Sequence, residues 1–166
     1  MNLKKAMILA SALSLVACSG KCESAEIRSL QHQLEEVAVT KVYFDTNIPR
    51  PGQLCLDADQ ARCAKSVAEA LHKDKFLKVN LILEGHCDER GTSEYNMALG
   101  ERRAMAVKNG ILAEYKACFG AELDPSRVDI ISFGKEQNPE PNREGMSYAE
   151  WLSKNRVVLV KVKEKI

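Results

Sequence analysis

The chain has 166 residues and an almost balanced charge, with 24 lysines and arginines against 23 aspartates and glutamates. This length allows one ordinary domain with a hydrophobic core of its own. Proteins that bind nucleic acid usually carry an excess of basic charge, which this composition does not show, so we expect no nucleic-acid partner.

The first residues read as a secretory signal. Positive charge at Lys4 and Lys5 precedes an apolar run from Met7 to Leu15, which is too short to cross a bilayer as a helix. The pattern predicts a signal peptide at residues 1–17. The run ends in Leu-Val-Ala-Cys, which is typical of a bacterial lipobox and predicts acylation of Cys18. The alternative is ordinary cleavage that leaves Cys18 a thiol.

The segment 18–40 is polar and is predicted to be a lipidated tether. Two or more acyl chains make a stable membrane anchor, whereas one binds only marginally. By analogy with bacterial lipoproteins, Ser19 after the cysteine indicates the outer membrane, with the domain facing the periplasm. Four apolar residues in the tether follow helical spacing, and we expect a short helix lying on the domain rather than a coiled coil: Ile27, Leu30, Leu34 and Val37.

Five cysteines remain if Cys18 is lipidated, so at least one thiol is free or pairs between molecules. Cys55 and Cys63 are close in sequence and are the first candidates for a bridge in an oxidising compartment. Cys22, in the tether, could link two chains. Sequence spacing leaves the connectivity of Cys22, Cys55, Cys63, Cys87 and Cys118 open.

The folded part begins with a β-branched and aromatic run at Val42–Asp45, which predicts a strand. A helix follows through Leu71, with Asp57 or Asp59 as its N-cap. The hydrophobic period and the turn residues then predict, in chain order, a strand at Val79–Leu83, a helix at Ser93–Ala117, a strand at Arg127–Phe133, one helical turn at Tyr148–Leu152 and a strand at Asn155–Val162.

This β-α-β-α-β-β order predicts an α+β fold. Strands that alternate with helices indicate a two-layer sandwich, in which the helices pack on one mixed four-stranded sheet. The first two crossovers should connect parallel strands. The last strand follows without a full helix and can therefore pair antiparallel.

The loop after the second predicted strand carries the residues of greatest chemical interest. Asp88 lies at the end of that strand, and Arg103 lies about three turns down the next helix, which can return it to the level of Asp88. Asp88 would accept from an ammonium, and Arg103 would offer a planar fork to a carboxylate. Backbone N–H groups near Thr92 also favour anions, and Asp45 could join the site. Alternatively, Asp88 caps its own loop and Arg102 or Arg103 makes an internal ion pair.

Residues with metal-ligand side chains also cluster in this loop, at His86, Cys87, Asp88 and Glu89. They are consecutive, so in an extended segment alternate side chains point apart. The chain has no Cys-x-x-Cys, His-Glu-x-x-His or Gly-x-Ser-x-Gly motif. We therefore predict no metal, no cofactor and no catalytic activity.

Several motifs in order carry a resemblance to a known family. They are Glu84-Gly-His-Cys-Asp-Glu-Arg-Gly-Thr92, Glu94-Tyr-Asn96, Leu99-Gly100, Arg102-Arg-Ala104, Ser132-Phe-Gly-Lys-Glu136 and Lys154-Asn-Arg156. From Val42 to Val162 the chain resembles the OmpA-like peptidoglycan-binding domain, and is most similar to its lipid-anchored subgroup, the peptidoglycan-associated lipoproteins (Pal).

The resemblance implies an OmpA-like domain at 41–166 that binds the diaminopimelate residue of the peptidoglycan stem peptide noncovalently. It implies a tether between the outer membrane and the cell wall within the Tol–Pal envelope system, with a periplasmic Tol propeller protein as partner. The alternatives are a metal-dependent cell-wall hydrolase that uses His86, Asp88 and Glu89, and an interaction-only envelope lipoprotein.

With the resemblance, the predicted binding site comprises Asp88 and Arg103, joined by Asp45, Phe44, Thr92, Leu99 and His86. The chain departs from the family pattern at three places. Cys87 stands where a small residue such as alanine or threonine is usual, and Val157 follows Arg156 where a second arginine is frequent. The loop 137–146 is longer and richer in proline than expected.

Overall fold

The computed structural model describes residues 19–163, with side chains described from residue 25 onward. The predicted signal peptide and Cys18 lie outside the described residues. The helices are α1 (Ser19–Val37), α2 (Ala58–Leu71), α3 (Ser93–Phe119) and α4 (Tyr148–Asn155), and the strands are β1 (Lys41–Tyr43), β2 (Leu81–His86), β3 (Val128–Gly134) and β4 (Val157–Val162).

The four strands form one mixed sheet in the order β1-β4-β2-β3. β4 pairs antiparallel with both β1 and β2, whereas β2 and β3, which α3 connects, are parallel. The predicted α+β fold with a mixed four-stranded sheet is therefore confirmed. The core lies between the sheet and the helices α2 and α3, and it includes Val67, Leu71, Leu83, Val107, Ile111 and Val160.

Local sequence signals explain where the helices begin and end. Asp57 caps α2 in a reciprocal capping box with Gln60, so the first of the two predicted caps is the right one. Thr92 caps α3, which ends at Phe119, two residues beyond the predicted end, and Gly120 follows it in the left-handed conformation. α4 is longer than the single turn predicted, because Ser147 caps it and its apolar face is buried.

The helix α1 packs on the domain, which is the arrangement that we predicted in preference to a coiled coil. Leu34 is completely buried in the core, and Ile27, Leu30 and Val37 pack against it. The Gln31 side-chain amide fixes the helix to the backbone of β4, donating to the Val160 carbonyl (3.3 Å) and accepting from the Val162 amide (2.7 Å). The packed unit thus includes α1. None of the helices within residues 19–163 is long and apolar enough to cross a membrane.

The predicted Cys55–Cys63 bridge is not formed. Cys55 is exposed, Cys63 is half-buried, and both are free thiols, as are Cys87 and Cys118. Cys87 is the buried member of the four, and it directly follows the last residue of β2. The side chain of Cys22 lies outside the described part of the chain.

Candidate functional site

Two glycines set the distance between β2 and α3. A Cβ added at Gly85 would lie 2.0 Å from the carbonyl oxygen of Gly100, and one added at Gly100 would lie 2.3 Å from the Ser132 hydroxyl. Only glycine allows the helix backbone to approach the sheet this closely. The contact therefore fixes where the side chains of the following helical turn can reach.

Arg103 lies one turn after Gly100 and is completely buried. Helical side chains point toward the helix N-terminus, so its guanidinium is directed back to the end of β2. Its Nε donates to the Ile48 carbonyl (2.9 Å), Nη1 to the His86 carbonyl (2.9 Å) and Nη2 to the Asp45 carbonyl (3.0 Å). Nη1 also contacts the Cys87 Sγ at 3.4 Å.

These contacts use four of the five N–H groups of Arg103 and include no carboxylate. Within the described residues, no aspartate or glutamate oxygen lies within 4.0 Å of its guanidinium nitrogens. Burial lowers the pKa of Arg103, because the charged form loses its hydration. The predicted planar fork is thus largely occupied by neutral acceptors, and its positive charge is left without an ion-pair partner.

Asp88 is also buried, but its carboxylate is fully paired. Oδ1 accepts from the Arg90 amide and from Arg90 Nε, both at 3.1 Å, and Oδ2 accepts from Arg90 Nη2 at 2.7 Å and Arg156 Nη1 at 3.3 Å. Burial alone would raise the pKa of Asp88, but the hydrogen bonds and charge of Arg90, with those of Arg156, lower it overall. Asp88 is therefore a carboxylate at neutral pH.

Asp88 and Arg103 lie on the wall of one cavity of about 270 Å³. Its charged lining residues are these two together with Arg90 and Arg156, so three guanidiniums face one carboxylate. The uncharged lining residues are Thr46, Asn47, Cys87, Gly91, Tyr95, Asn96 and Leu99. The cavity thus presents both signs of charge with a surplus of positive charge.

The other predicted site residues have different positions. Leu99 lines the cavity, whereas Phe44 is absent from its lining and has its ring 5.4 Å from the Arg103 guanidinium. The Asp45 side chain is exposed beside a smaller cavity of about 190 Å³, although its carbonyl holds Arg103. Thr92 caps α3 and is absent from the cavity lining. The structure thus brings together three of the seven predicted residues.

His86 contributes its carbonyl to the site and turns its ring away. The ring stacks on Phe133 at a centroid distance of 5.3 Å, and Nδ1 lies 2.8 Å from the Gln137 carbonyl. Nε2 lies 3.6 Å from the carboxylate of Glu84 and has no hydrogen-bond partner among the described residues. The imidazole and the Asp88 carboxylate therefore do not converge. In the described part of the chain, no three His, Cys, Asp or Glu side chains are grouped to hold a metal ion.

Sequence reasoning missed Arg90 and Arg156 as lining residues. Arg156 directly precedes β4, and its Nε donates to the Phe44 carbonyl (2.9 Å). The place of Arg156 in the cavity lining follows from the pairing register of β4. β4 runs antiparallel to both neighbours, and Val157 opposes Tyr43, so Arg156 lies beside the carboxyl ends of β1 and β2.

The sheet order, the glycine contact and the buried guanidinium define a domain with an amphoteric cavity at the carboxyl ends of two parallel strands. The chain belongs to the OmpA family, which it matches over residues 50–150.

Relatives within this family carry more specific names. The peptidoglycan-associated lipoprotein of Pseudomonas aeruginosa is 42% identical over 81 residues, and that of Pseudomonas putida is 40% identical over 90 residues. These alignments cover 49% and 52% of this chain, but 42% and 48% of the relatives, so the chain spans about half the length of the curated relatives it matches.

Solved structures show the same fold. The peptidoglycan-associated lipoprotein from Burkholderia pseudomallei superposes with a TM-score of 0.57 at 26% identity, over 75% of this chain and 91% of that chain. The OmpA-like domain of FopA1 from Francisella tularensis superposes with a TM-score of 0.51 over 76% of this chain and 74% of that chain, at 17% identity. The second likeness concerns the fold alone.

Proposed function

We propose that this protein is an outer-membrane lipoprotein whose domain binds the diaminopimelate residue of the peptidoglycan stem peptide noncovalently. Membership of the OmpA family and the names of its relatives support this proposal. The observation that carries it is Arg103, a completely buried guanidinium without a carboxylate partner among the described residues, on the wall of a cavity that also holds Asp88.

A buried charge without a counter-charge is costly, because the protein interior replaces its hydration poorly. A carboxylate ligand in the cavity offsets that cost by a charge-assisted hydrogen bond to the remaining N–H of Arg103. Asp88 provides the complementary anion for a ligand ammonium. The free end of diaminopimelate carries an ammonium and a carboxylate on one carbon, and therefore matches this pair of side chains.

Modest affinity for a single stem peptide is sufficient for a tether. Acylation of Cys18 would hold the protein at the outer membrane by its lipid chains, since stable anchoring takes more than one acyl chain. Confinement next to a polymer raises the effective concentration of stem peptides, so that many weak contacts hold the membrane to the wall. We extend the proposal to a signal peptide at residues 1–17, a lipidated segment from Cys18, a periplasm-facing domain and a Tol propeller partner.

The test replaces Asp88 by asparagine, which keeps the shape of the side chain and removes its charge. The full chain in detergent micelles is sedimented with diaminopimelate-type peptidoglycan. We expect Asp88→Asn to lower the affinity at least about tenfold, since a charge-assisted contact to the ammonium is lost. Free diaminopimelate should compete with the wall for the wild-type protein.

Asp59→Asn is the matched control, because Asp59 is exposed on α2 and pairs with Arg62 away from the cavity lining. The control should sediment like the wild type. Equal sedimentation of Asp88→Asn would contradict the proposed site. Release of soluble muropeptides by the wild-type protein would instead favour the hydrolase alternative.

A further inference from the structure

We infer that Arg90 is a specificity-determining residue, which selects stem peptides with a second free carboxylate next to diaminopimelate. This inference rests on the proposed function and deepens it. Its basis is the charge of the cavity, in which Arg90, Arg103 and Arg156 face Asp88 alone.

The free end of diaminopimelate is a zwitterion and brings no net charge. Its binding would leave the charged lining of the cavity, three guanidiniums and one carboxylate, with two surplus positive charges. A ligand that carries an additional carboxylate reduces this surplus, and like charges held together in a partly buried site oppose one another. The cavity is therefore better matched to an acidic peptide than to an isolated zwitterion.

The pairing of Asp88 indicates which guanidinium meets the second carboxylate. Both Asp88 oxygens accept from the Arg90 side chain, at 3.1 Å and 2.7 Å, so a ligand ammonium can reach Asp88 only by displacing that side chain. Arg156 is held in place by the Phe44 carbonyl, and its side chain is only 14% exposed. The Arg90 side chain is 46% exposed, and its other hydrogen bond goes to the Thr46 hydroxyl at the surface.

When the ligand ammonium replaces the Arg90 side chain on Asp88, each charged group involved keeps a partner of opposite charge. The ligand ammonium takes the place of Arg90 on Asp88, which stays ionised and paired. The Arg90 backbone amide still donates to Asp88, so the displaced side chain remains at the cavity mouth. Its planar fork is then available for bidentate binding of a carboxylate.

Stem-peptide chemistry supplies a carboxylate at the required place. The residue before diaminopimelate is a γ-linked D-glutamate, whose α-carboxyl group is either free or amidated. The free form presents an anion one residue away from the zwitterion, whereas the amide presents none. The inference is therefore that this domain distinguishes the two forms, and that Arg90 makes the distinction.

The experiment measures binding of the full chain, in detergent micelles, to two soluble tetrapeptides by titration calorimetry. One is L-Ala-γ-D-Glu-diaminopimelate-D-Ala, and the other carries isoglutamine in place of the glutamate. We expect the wild-type protein to bind the acidic peptide about tenfold more tightly, as one charge-assisted pair predicts. In Arg90→Gln the ratio should fall below about twofold.

Arg62→Gln is the matched control, since it removes the same charge from the exposed surface of α2, where Arg62 pairs with Asp59. It should keep the tenfold ratio. Equal wild-type affinity for the two peptides, or full discrimination by Arg90→Gln, would overturn the inference and leave the proposed function standing. Failure of the wild-type protein to bind either peptide would overturn both.

Discussion

Asp88 stabilises the folded protein only while it is ionised. Its pKa in the folded state is lowered below the ordinary value of about 3.9, so the folded state favours the carboxylate. The stabilising contribution is therefore fully present above the ordinary pKa, and it is lost as the pH falls through the lowered pKa of the folded state.

We expect the stability difference between the wild type and Asp88→Asn to be constant from pH 7 to about pH 5 and to shrink below about pH 4. Urea unfolding, followed by circular dichroism at each pH, measures this difference. Urea carries no charge and does not screen the pairs. A difference that already shrinks between pH 7 and pH 5 would contradict a lowered pKa.

Arg103 contributes to folding as well as to the proposed binding. Its guanidinium satisfies the carbonyls of Asp45, Ile48 and His86 inside the protein. Removal of the side chain leaves these acceptors unpaired, and each unpaired buried group costs about 1–3 kcal/mol. Loss of ligand binding in Arg103→Ala would therefore be accompanied by a loss of stability.

The spacing of Asp88 and Arg103 along the sequence was enough to predict that they lie near one another, since a loop and a returning helix connect them. Arg156 could not be predicted in the same way. Its position depends on the register of an antiparallel pair that joins residues more than a hundred positions apart. The pairing of Arg90 with Asp88 depends on side-chain conformation, which sequence periodicity does not determine.

At the scale of elements, the contact between β2 and α3 determines the geometry of the site. The helical period predicted α3, and the β-branched and apolar runs predicted the strands, because these patterns follow from burial of one face. The close approach of Gly85 and Gly100 was not predictable. From the sequence, a glycine inside a helix indicates only that the helix is less stable at that residue. The three-dimensional structure is needed to show which backbone lies against the glycine.

We expect Gly100→Ala to destabilise the protein by about 3 kcal/mol, because a Cβ there would overlap the Ser132 hydroxyl and the backbone of Gly85. Gly110→Ala is the matched control in the same helix. Its Cβ would meet mainly the end of the flexible Leu56 side chain, and alanine favours the helix by about 1 kcal/mol. Denaturant unfolding of both variants measures the difference, and equal losses would contradict the role assigned to Gly100.

At the scale of the whole molecule, two attachments are proposed, one to lipid and one to the wall. The lipid attachment remains a prediction from a local signal, the Leu-Val-Ala-Cys run at residues 15–18, which lies outside the described residues. The packing of α1 was only partly predictable from the sequence. Its apolar spacing predicted a helix on the domain, but a polar residue such as Gln31 is expected to face solvent in a helical pattern. Its role depends on the unpaired backbone of β4 beyond the short strand β1.

We expect Cys18→Ala to release the protein from the membrane, because the thiol that carries the acyl chains is absent. Fractionation of cells into membrane and soluble parts measures this. Ser19→Ala is the control, since it changes a neighbouring residue and keeps the thiol. Continued membrane association of Cys18→Ala would contradict lipid anchoring at that residue.

The Gln31 contact has a mechanical consequence. It joins α1 to the end of β4 near Val160 and Val162, whereas the cavity lies roughly 20 Å away, past the other end of the strand. Tension between an anchored N-terminus and a captured stem peptide would therefore run along the strands. Antiparallel strands are joined by bonds perpendicular to their length. Such a load acts in shear on all of those bonds together. The paired strands therefore resist rupture better than they would under a pull that breaks the bonds one at a time.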